Sequence, residues 1–163
     1  MVYKKNILLI ISGSISAYKA LYLIRLLTSI GCSVKCVMTK SAEKFVTPLS
    51  VASLSGHKVY TDLFNLIDET NMGHIRLSRE SDLILVVPAS ANIIAKIANG
   101  IADDLASSIL LASNTPIAIA PSMNLQMWNN HATKRNIKLL KLNKISIIEP
   151  EVGDLACGEE GHG

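Results

Sequence analysis

Five short aliphatic runs, separated by segments of helical periodicity, constrain most strongly what this chain can fold into. The runs are Ile7–Ile11, Val34–Met38, Leu83–Val87, Ile117–Ala120 and Ile145–Ile148. Each run is continuous rather than alternating in polarity, which is typical of strands buried on both faces. Strands that alternate with helices indicate βαβ units, because parallel neighbours need a long crossover connection. The pattern predicts an α/β fold, a three-layer doubly wound parallel sheet.

Helix signals occur between the runs. Ser16 is placed to cap a helix after the first run, and Gly31 is placed to end it. Three further helices are predicted: over Asn92–Asn99, from a cap at Asp103 or Asp104 to Ser113, and over His131–Asn143. The stretch Pro48–Glu69 has mixed polarity and gives no clear prediction, whereas the glycine-rich end, Gly153–Gly163, predicts a mobile or turn-rich loop.

The composition excludes several classes of protein. A length of 163 residues with 49% hydrophobic residues suits one domain, here residues 1–163, with a single core. A net charge of +3 and 18% charged residues argue against nucleic-acid binding, and the runs are far shorter than the ~18 residues of a membrane helix. Cys32, Cys36 and Cys157 cannot all pair and form no CxxC metal pattern. We therefore expect a cytoplasmic protein without a metal, a membrane anchor or a nucleic-acid partner.

Small and hydroxyl-bearing residues follow four of the runs. These loops are Ser12–Ser16, Thr39–Ser41, Pro88–Asn92 and Pro121–Asn124. In an open parallel sheet the carboxyl ends of the strands meet at the ligand-binding edge, and such residues suit a phosphate through close backbone approach and N–H donors. The first loop is neither GxGxxG nor a Walker motif, so a single phosphate, as in a mononucleotide, fits better than a dinucleotide. Simple helix capping by the same hydroxyls is the alternative.

A few other residues carry possible chemistry. His74 precedes the third run, where a lone histidine is more often structural than catalytic. Met127 and Trp128 have the spacing of core residues, but Asn124 places a polar amide at a strand-to-helix corner. Cys157 lies in the glycine-rich segment, where its thiol could be exposed. These residues alone do not select a reaction.

Taken together, however, the motifs resemble those of a known family. The matching segments are Gly13–Ala17, His74, Pro88–Asn92, Asn99–Gly100 with Ala102–Leu105, Pro121–Trp128 and Ala156–Gly161. They resemble the flavin-containing cysteine decarboxylases, and within that family the members that act on phosphopantothenoylcysteine. The resemblance extends from about Asn6 to Gly163, and its PxMNxxMW and ACGxxG elements are more specific than a glycine-rich loop.

The resemblance implies a Rossmann-like or flavodoxin-like flavoprotein that binds FMN at a subunit boundary of a homo-oligomer, either a trimer or a dodecamer built of trimers. The implied cofactor-binding residues are Gly13, Ser14, Ile15, Thr39, Lys40, Ser41, Ser90, Ala91, Asn92, Ile93 and Ser122. The implied catalytic residues are His74, Asn124 and Cys157, and the implied substrate-binding residues are Asn124, Met127 and Arg79.

The implied reaction is the decarboxylation of phosphopantothenoylcysteine to phosphopantetheine in coenzyme A biosynthesis by an FMN-dependent carboxy-lyase. FMN would oxidise the thiol-bearing carbon so that CO2 can leave, with His74 as base and Cys157 as proton donor. The alternatives are a peptidyl-cysteine decarboxylase of the lantibiotic type, which would share these residues, and a non-enzymatic regulatory flavoprotein subunit.

Overall fold

Six parallel strands form the main sheet of the computed structural model, which describes residues 4–63, 73–156, 158 and 160–162, without the side chains of residues 73, 74 and 162. The strands are β1 (Asn6–Ile11), β2 (Ser33–Met38), β3 (Val59–Tyr60), β4 (Leu83–Ala89), β5 (Ile117–Pro121) and β6 (Ser146–Ile147). Their order across the sheet is β3-β2-β1-β4-β5-β6. All five predicted strands are present, and the predicted doubly wound fold is confirmed.

Helices cover both faces of this sheet. They are α1 (Ala17–Ser29), α2 (Pro48–Ser55), α3 (Gly73–Arg79), α4 (Ala91–Asn99), α5 (Leu105–Ala112), α6 (Leu125–Asn129) and α7 (His131–Leu142). Leu9 and Ile11 of β1 pack with α1 and α2 on one face, whereas Leu8 and Ile10 pack with the other helices on the opposite face. The continuous aliphatic runs are explained by this arrangement, because side chains on both faces of a central strand are covered, as Ile7–Ile11 of β1 are.

Two sequence interpretations need correction. Ser16 stands at the N-cap position of α1, but its side chain makes no capping bond and instead contacts the Ser122 hydroxyl. The glycine-rich end is not simply a loop, because β7 (Val152–Asp154) and β8 (Glu160–His162) pair there as an antiparallel hairpin. This hairpin packs closely on α6, since a Cβ at Gly161 would lie 2.8 Å from Leu125 Cδ1.

The stretch that gave no clear prediction contains α2 and β3. Thr47 caps α2 by accepting the Ser50 N–H, and Pro48 occupies the first turn. Thr47 followed by Pro48 is a recognised signal for the start of a helix, which the sequence analysis did not use. The residues from 64 to 69 in that stretch lie outside the described part of the chain. No helix among the described residues is long and apolar enough to cross a membrane.

The buried thiol of Cys36 predicts a loss of stability at alkaline pH. Burial within β2 raises the pKa of Cys36 to about 12, although a hydrogen bond with Ser55 opposes this rise. Above pH ~9 the unfolded chain loses the thiol proton that the folded chain keeps, so the free energy of unfolding should fall by about 1.4 kcal/mol per pH unit up to pH ~12. Urea unfolding at pH 8 and pH 10 measures this fall.

Cys36→Ala is the control, because lysine and tyrosine side chains also titrate in this range. The wild-type protein should lose more stability than Cys36→Ala between the two pH values. Equal losses in the two proteins would contradict the assignment of this pH dependence to Cys36.

Candidate functional site

The strand order reverses direction between β1 and β4, which is where open α/β sheets bind ligands. Ser12 joins the two strand ends at this point. Its hydroxyl donates to the Pro88 carbonyl at 2.7 Å and accepts the Ser90 N–H at 2.8 Å. Ser12 is only 1% exposed, so these bonds replace contacts with water and hold the two loops in register. The sequence pattern gave Ser12 no special role, because several residues in these loops carry a hydroxyl group.

Two clefts open at the carboxyl edge of the sheet. The smaller has a volume of about 530 Å³ and the larger about 680 Å³. Gly13, Ser90, Ala91 and Met127 line both clefts, which are therefore adjacent. Each volume is in the usual range for a small-molecule or cofactor site.

Three hydroxyl groups meet in the smaller cleft. Ser122 Oγ lies 2.9 Å from Ser14 Oγ and 2.8 Å from Ser16 Oγ. The Ser122 N–H donates to the Ala89 carbonyl at 3.0 Å, which fixes the loop after β5 beside the end of β4. The cluster presents rotatable O–H donors to the cleft, as an anionic oxygen requires. Ile15 also lines this cleft.

The loops after β1 and β2 touch each other at Gly13. A Cβ at this glycine would lie 2.4 Å from Ser41 Cβ and 3.1 Å from the Ser41 carbonyl carbon. Real Cβ atoms do not approach other atoms this closely, so only glycine allows the approach. Thr39, Lys40 and Ser41 consequently form one wall of the larger cleft.

The start of α4 faces the larger cleft. The Ser90 side chain caps this helix by accepting the Ile93 N–H at 3.4 Å. Ala91, Asn92 and Ile93 form the first turn and line the cleft. The positive end of the helix dipole therefore favours an anion at this place.

The Asn124 side chain uses its oxygen to cap a helix and leaves its Nδ2 donors for another partner. Its Oδ1 accepts the Met127 N–H at 2.8 Å and so caps α6. No described residue accepts a hydrogen bond from its Nδ2 group, and Asn124 lines the smaller cleft beside Met127. Because the cap restricts rotation of the amide, two N–H donors are held at the cleft, where they can bind a carboxylate.

Three predicted residues remain untested by this geometry. His74 belongs to α3, but its side chain lies outside the described part of the chain, as does the whole of Cys157. Ala156, the residue before Cys157, lines the smaller cleft. Arg79 is exposed at the end of α3 and is not among the described residues that line either cleft. Its role in substrate binding stays a prediction.

Several cleft residues escaped the sequence analysis. Asp154 and Leu155, just before the motif that begins at Ala156, reach the smaller cleft, and Lys96 lines the larger one. Tyr18 and Lys19 of α1 also line the smaller cleft. Their positions depend on contacts between segments distant in sequence, for which no local pattern exists. Lys96 lies in the helix predicted over Asn92–Asn99 and close to the resemblance motifs Asn99–Gly100 and Ala102–Leu105, but none of these signals gave it a role in the site.

Comparisons with known proteins show which family the sequence and the fold resemble. The flavoprotein family model matches residues 1–163. The chain is 47% identical to the coenzyme A biosynthesis bifunctional protein CoaBC of Bacillus subtilis (strain 168), an alignment that covers all of this chain and 40% of the relative. The chain thus spans about two fifths of the length of that curated relative.

Solved structures show the same architecture. A PPC decarboxylase mutant complexed with pantothenoylaminoethenethiol superposes with a TM-score of 0.86 at 34% identity, covering 98% of this chain and 90% of the other. The FMN-dependent cysteine decarboxylase SpaF also has a TM-score of 0.86, at 30% identity, covering all of this chain and 91% of the other.

Proposed function

The chain belongs to the flavoprotein family, and from this premise we propose that it decarboxylates phosphopantothenoylcysteine to phosphopantetheine in coenzyme A biosynthesis, using FMN. Asn124 carries the proposal: its amide donors are held at a cleft beside a hydroxyl cluster suited to an anion. The 47% identity to CoaBC and the likeness to a PPC decarboxylase support the choice of substrate.

FMN fits the described residues. The Gly13 loop offers backbone at close range, the hydroxyls of Ser14 and Ser122 offer donors, and the start of α4 offers a positive dipole. We assign FMN to the two adjacent clefts, with Thr39, Lys40, Ser41 and the first turn of α4 as further walls. When bound, FMN supplies reversible two-electron chemistry to the thiol-bearing carbon.

The protein residues then hold the substrate and move its protons. The Asn124 Nδ2 group binds the substrate carboxylate, and its capping bond to Met127 keeps that group pre-oriented. On the strength of the family motifs, we assign to His74 the removal of the substrate thiol proton and to Cys157 the return of a proton to the product carbon. Met127, 46% exposed at both clefts, contacts the apolar part of the substrate.

A homo-oligomer, with a trimer as its basic unit, is part of the proposal. Ile15 and Tyr18 line the smaller cleft yet are 57% and 60% exposed. An apolar stripe continues from them along α1 through Tyr22 and Leu26 to Ile30, the residue after the helix; these three are 66%, 46% and 65% exposed. Contiguous exposed apolar surface is typical of protein interfaces. A second copy packed on this stripe would enclose the cleft that opens beside it.

Mass spectrometry of two candidate substrates tests the function. The purified FMN-loaded protein is incubated with phosphopantothenoylcysteine and, separately, with a peptide that ends in cysteine. We expect loss of CO2 from the first substrate only. Loss from the peptide alone would instead identify a peptide-modifying enzyme, and FMN binding without loss from either would favour a regulatory role.

A further inference from the structure

Lys96 is bonded to the loop between α4 and α5 through both its backbone and its side chain. Its carbonyl accepts the Ile101 N–H at 2.9 Å. Its Nζ lies 2.6 Å from Asp103 Oδ1 and 2.8 Å from Asp104 Oδ2. The Lys96 side chain is only 16% exposed, whereas Asp103 and Asp104 are 59% and 37% exposed, so a largely buried ammonium group pairs with two carboxylates that still reach solvent.

The same loop is also connected to α5. Asp104 Oδ1 accepts the Ser107 N–H at 2.7 Å, and Ser107 Oγ accepts the Asp104 N–H at 3.1 Å. This capping box fixes Asp104 at the start of α5, while Gly100, with φ of +67°, turns the chain at the end of α4. Lys96 therefore holds a loop of five residues, Gly100–Asp104, against its own helix.

This loop forms part of the wall of the larger cleft. Ala102, Asp103, Asp104 and Leu105 line the cleft. Asn92 and Lys96 line it too, one helical turn apart on the same face of α4. Two carboxylates of this loop thus stand at the edge of a cleft assigned to an anionic cofactor, where Asp62 adds a third, and the Lys96 ammonium contacts both carboxylates of the loop.

We propose that Lys96 is a positioning residue for the flavin nucleotide: it fixes the Gly100–Asp104 loop as a wall of the larger cleft and compensates the carboxylates of that wall. The inference rests on the proposed function insofar as FMN is the ligand. Partial burial acts to lower the pKa of Lys96, but the bonds to Asp103 and Asp104 outweigh it and raise that pKa. Lys96 is therefore charged throughout the neutral range.

Titration of the apo-protein with FMN, followed by flavin fluorescence and visible circular dichroism, tests the proposal. Lys96→Met should weaken FMN binding at least tenfold and alter the dichroism of the flavin that does bind. Lys96→Arg keeps the charge and should bind within about threefold of the wild type. Lys141→Met removes a different ion pair, with Glu149, away from both clefts, and should bind FMN as the wild type does.

Hydrogen exchange of the apo-proteins separates this inference from the proposed function. Amides 101–105 should exchange faster in Lys96→Met than in the wild type, whereas amides of β1 and β4 should be unchanged. Lys96→Gln, which keeps an N–H donor without the charge, serves as the second variant if Lys96→Met does not fold. Wild-type FMN affinity, or unaltered exchange, in the Lys96→Met or Lys96→Gln protein would overturn the positioning role. A wild-type protein that binds no FMN would overturn the proposed function as well.

Discussion

Replacing Asn124 with aspartate should abolish decarboxylation, lowering kcat/KM at least about a hundredfold, with little change in stability. Aspartate caps a helix as well as asparagine does, so the bond from the Met127 N–H survives. The two N–H donors, however, are replaced by a carboxylate oxygen, which repels the substrate carboxylate. Steady-state kinetics and urea unfolding of the same preparations measure both effects.

Two further variants separate the helix-capping role of the Asn124 oxygen from the donor role of its Nδ2 group. Asn124→Ala loses both functions, so it should lose activity and also about 0.5–2 kcal/mol of stability. Gln126→Glu adds the same charge on α6 at an exposed residue that is not among those lining either cleft, and it should stay active. If Asn124→Asp retained activity within tenfold of the wild type, Asn124 would not bind the carboxylate.

Gly13→Ala should impair FMN binding and turnover together. The new Cβ would lie 2.4 Å from Ser41 Cβ and 3.2 Å from the Ser41 carbonyl oxygen, so the loops after β1 and β2 must separate by about 1 Å. A displacement of this size in a positioned site can cost about a hundredfold in rate. We also expect a loss of about 1–3 kcal/mol in stability from overpacking. FMN titration, kinetics and urea unfolding measure these changes.

Gly153→Ala is the matched control, because a Cβ there meets no atom within 4 Å. It should bind FMN and unfold as the wild type does. Ser41→Gly in the Gly13→Ala background removes the closest contact and should restore part of the lost affinity, since the Ser41 backbone contacts remain. Normal FMN affinity in Gly13→Ala would contradict the close packing of the two loops.

Local patterns predicted the elements whose signals lie within a short stretch of chain. The helix predicted over Asn92–Asn99 is α4, with Gly100 in the left-handed conformation after it. The cap left open between Asp103 and Asp104 is Asp104, because its Oδ1 accepts the Ser107 N–H, although both aspartates contact Lys96. Choosing between the two adjacent aspartates requires knowing which of them directly precedes the first helical residue, Leu105, and a sequence pattern places a helix start less sharply than one residue.

Only some of the contacts in the candidate site could be predicted from the sequence. The sequence placed Gly13, Ser90, Ser122 and Asn124 at the ligand-binding edge, since each follows a strand and all such ends meet at one edge of a parallel sheet, and all four line the smaller cleft. Ser16 was interpreted as a helix cap because its spacing suits that role, but its hydroxyl bonds to Ser122, 106 residues away. Such a pairing depends on how two loops approach in space.

The sequence by itself determined the class of fold, since continuous aliphatic runs separated by helical periods can be buried together only in a covered parallel sheet. Through its motifs it also indicated the family to which the chain belongs. The tertiary structure decided how the strand ends are joined into a site: Ser12 connecting β1 to β4, Gly13 against Ser41, and Lys96 holding the α4–α5 loop. Each of these contacts involves residues in loops. The distances between loop residues depend on how the whole sheet packs, and no repeating pattern within a short stretch of chain encodes them.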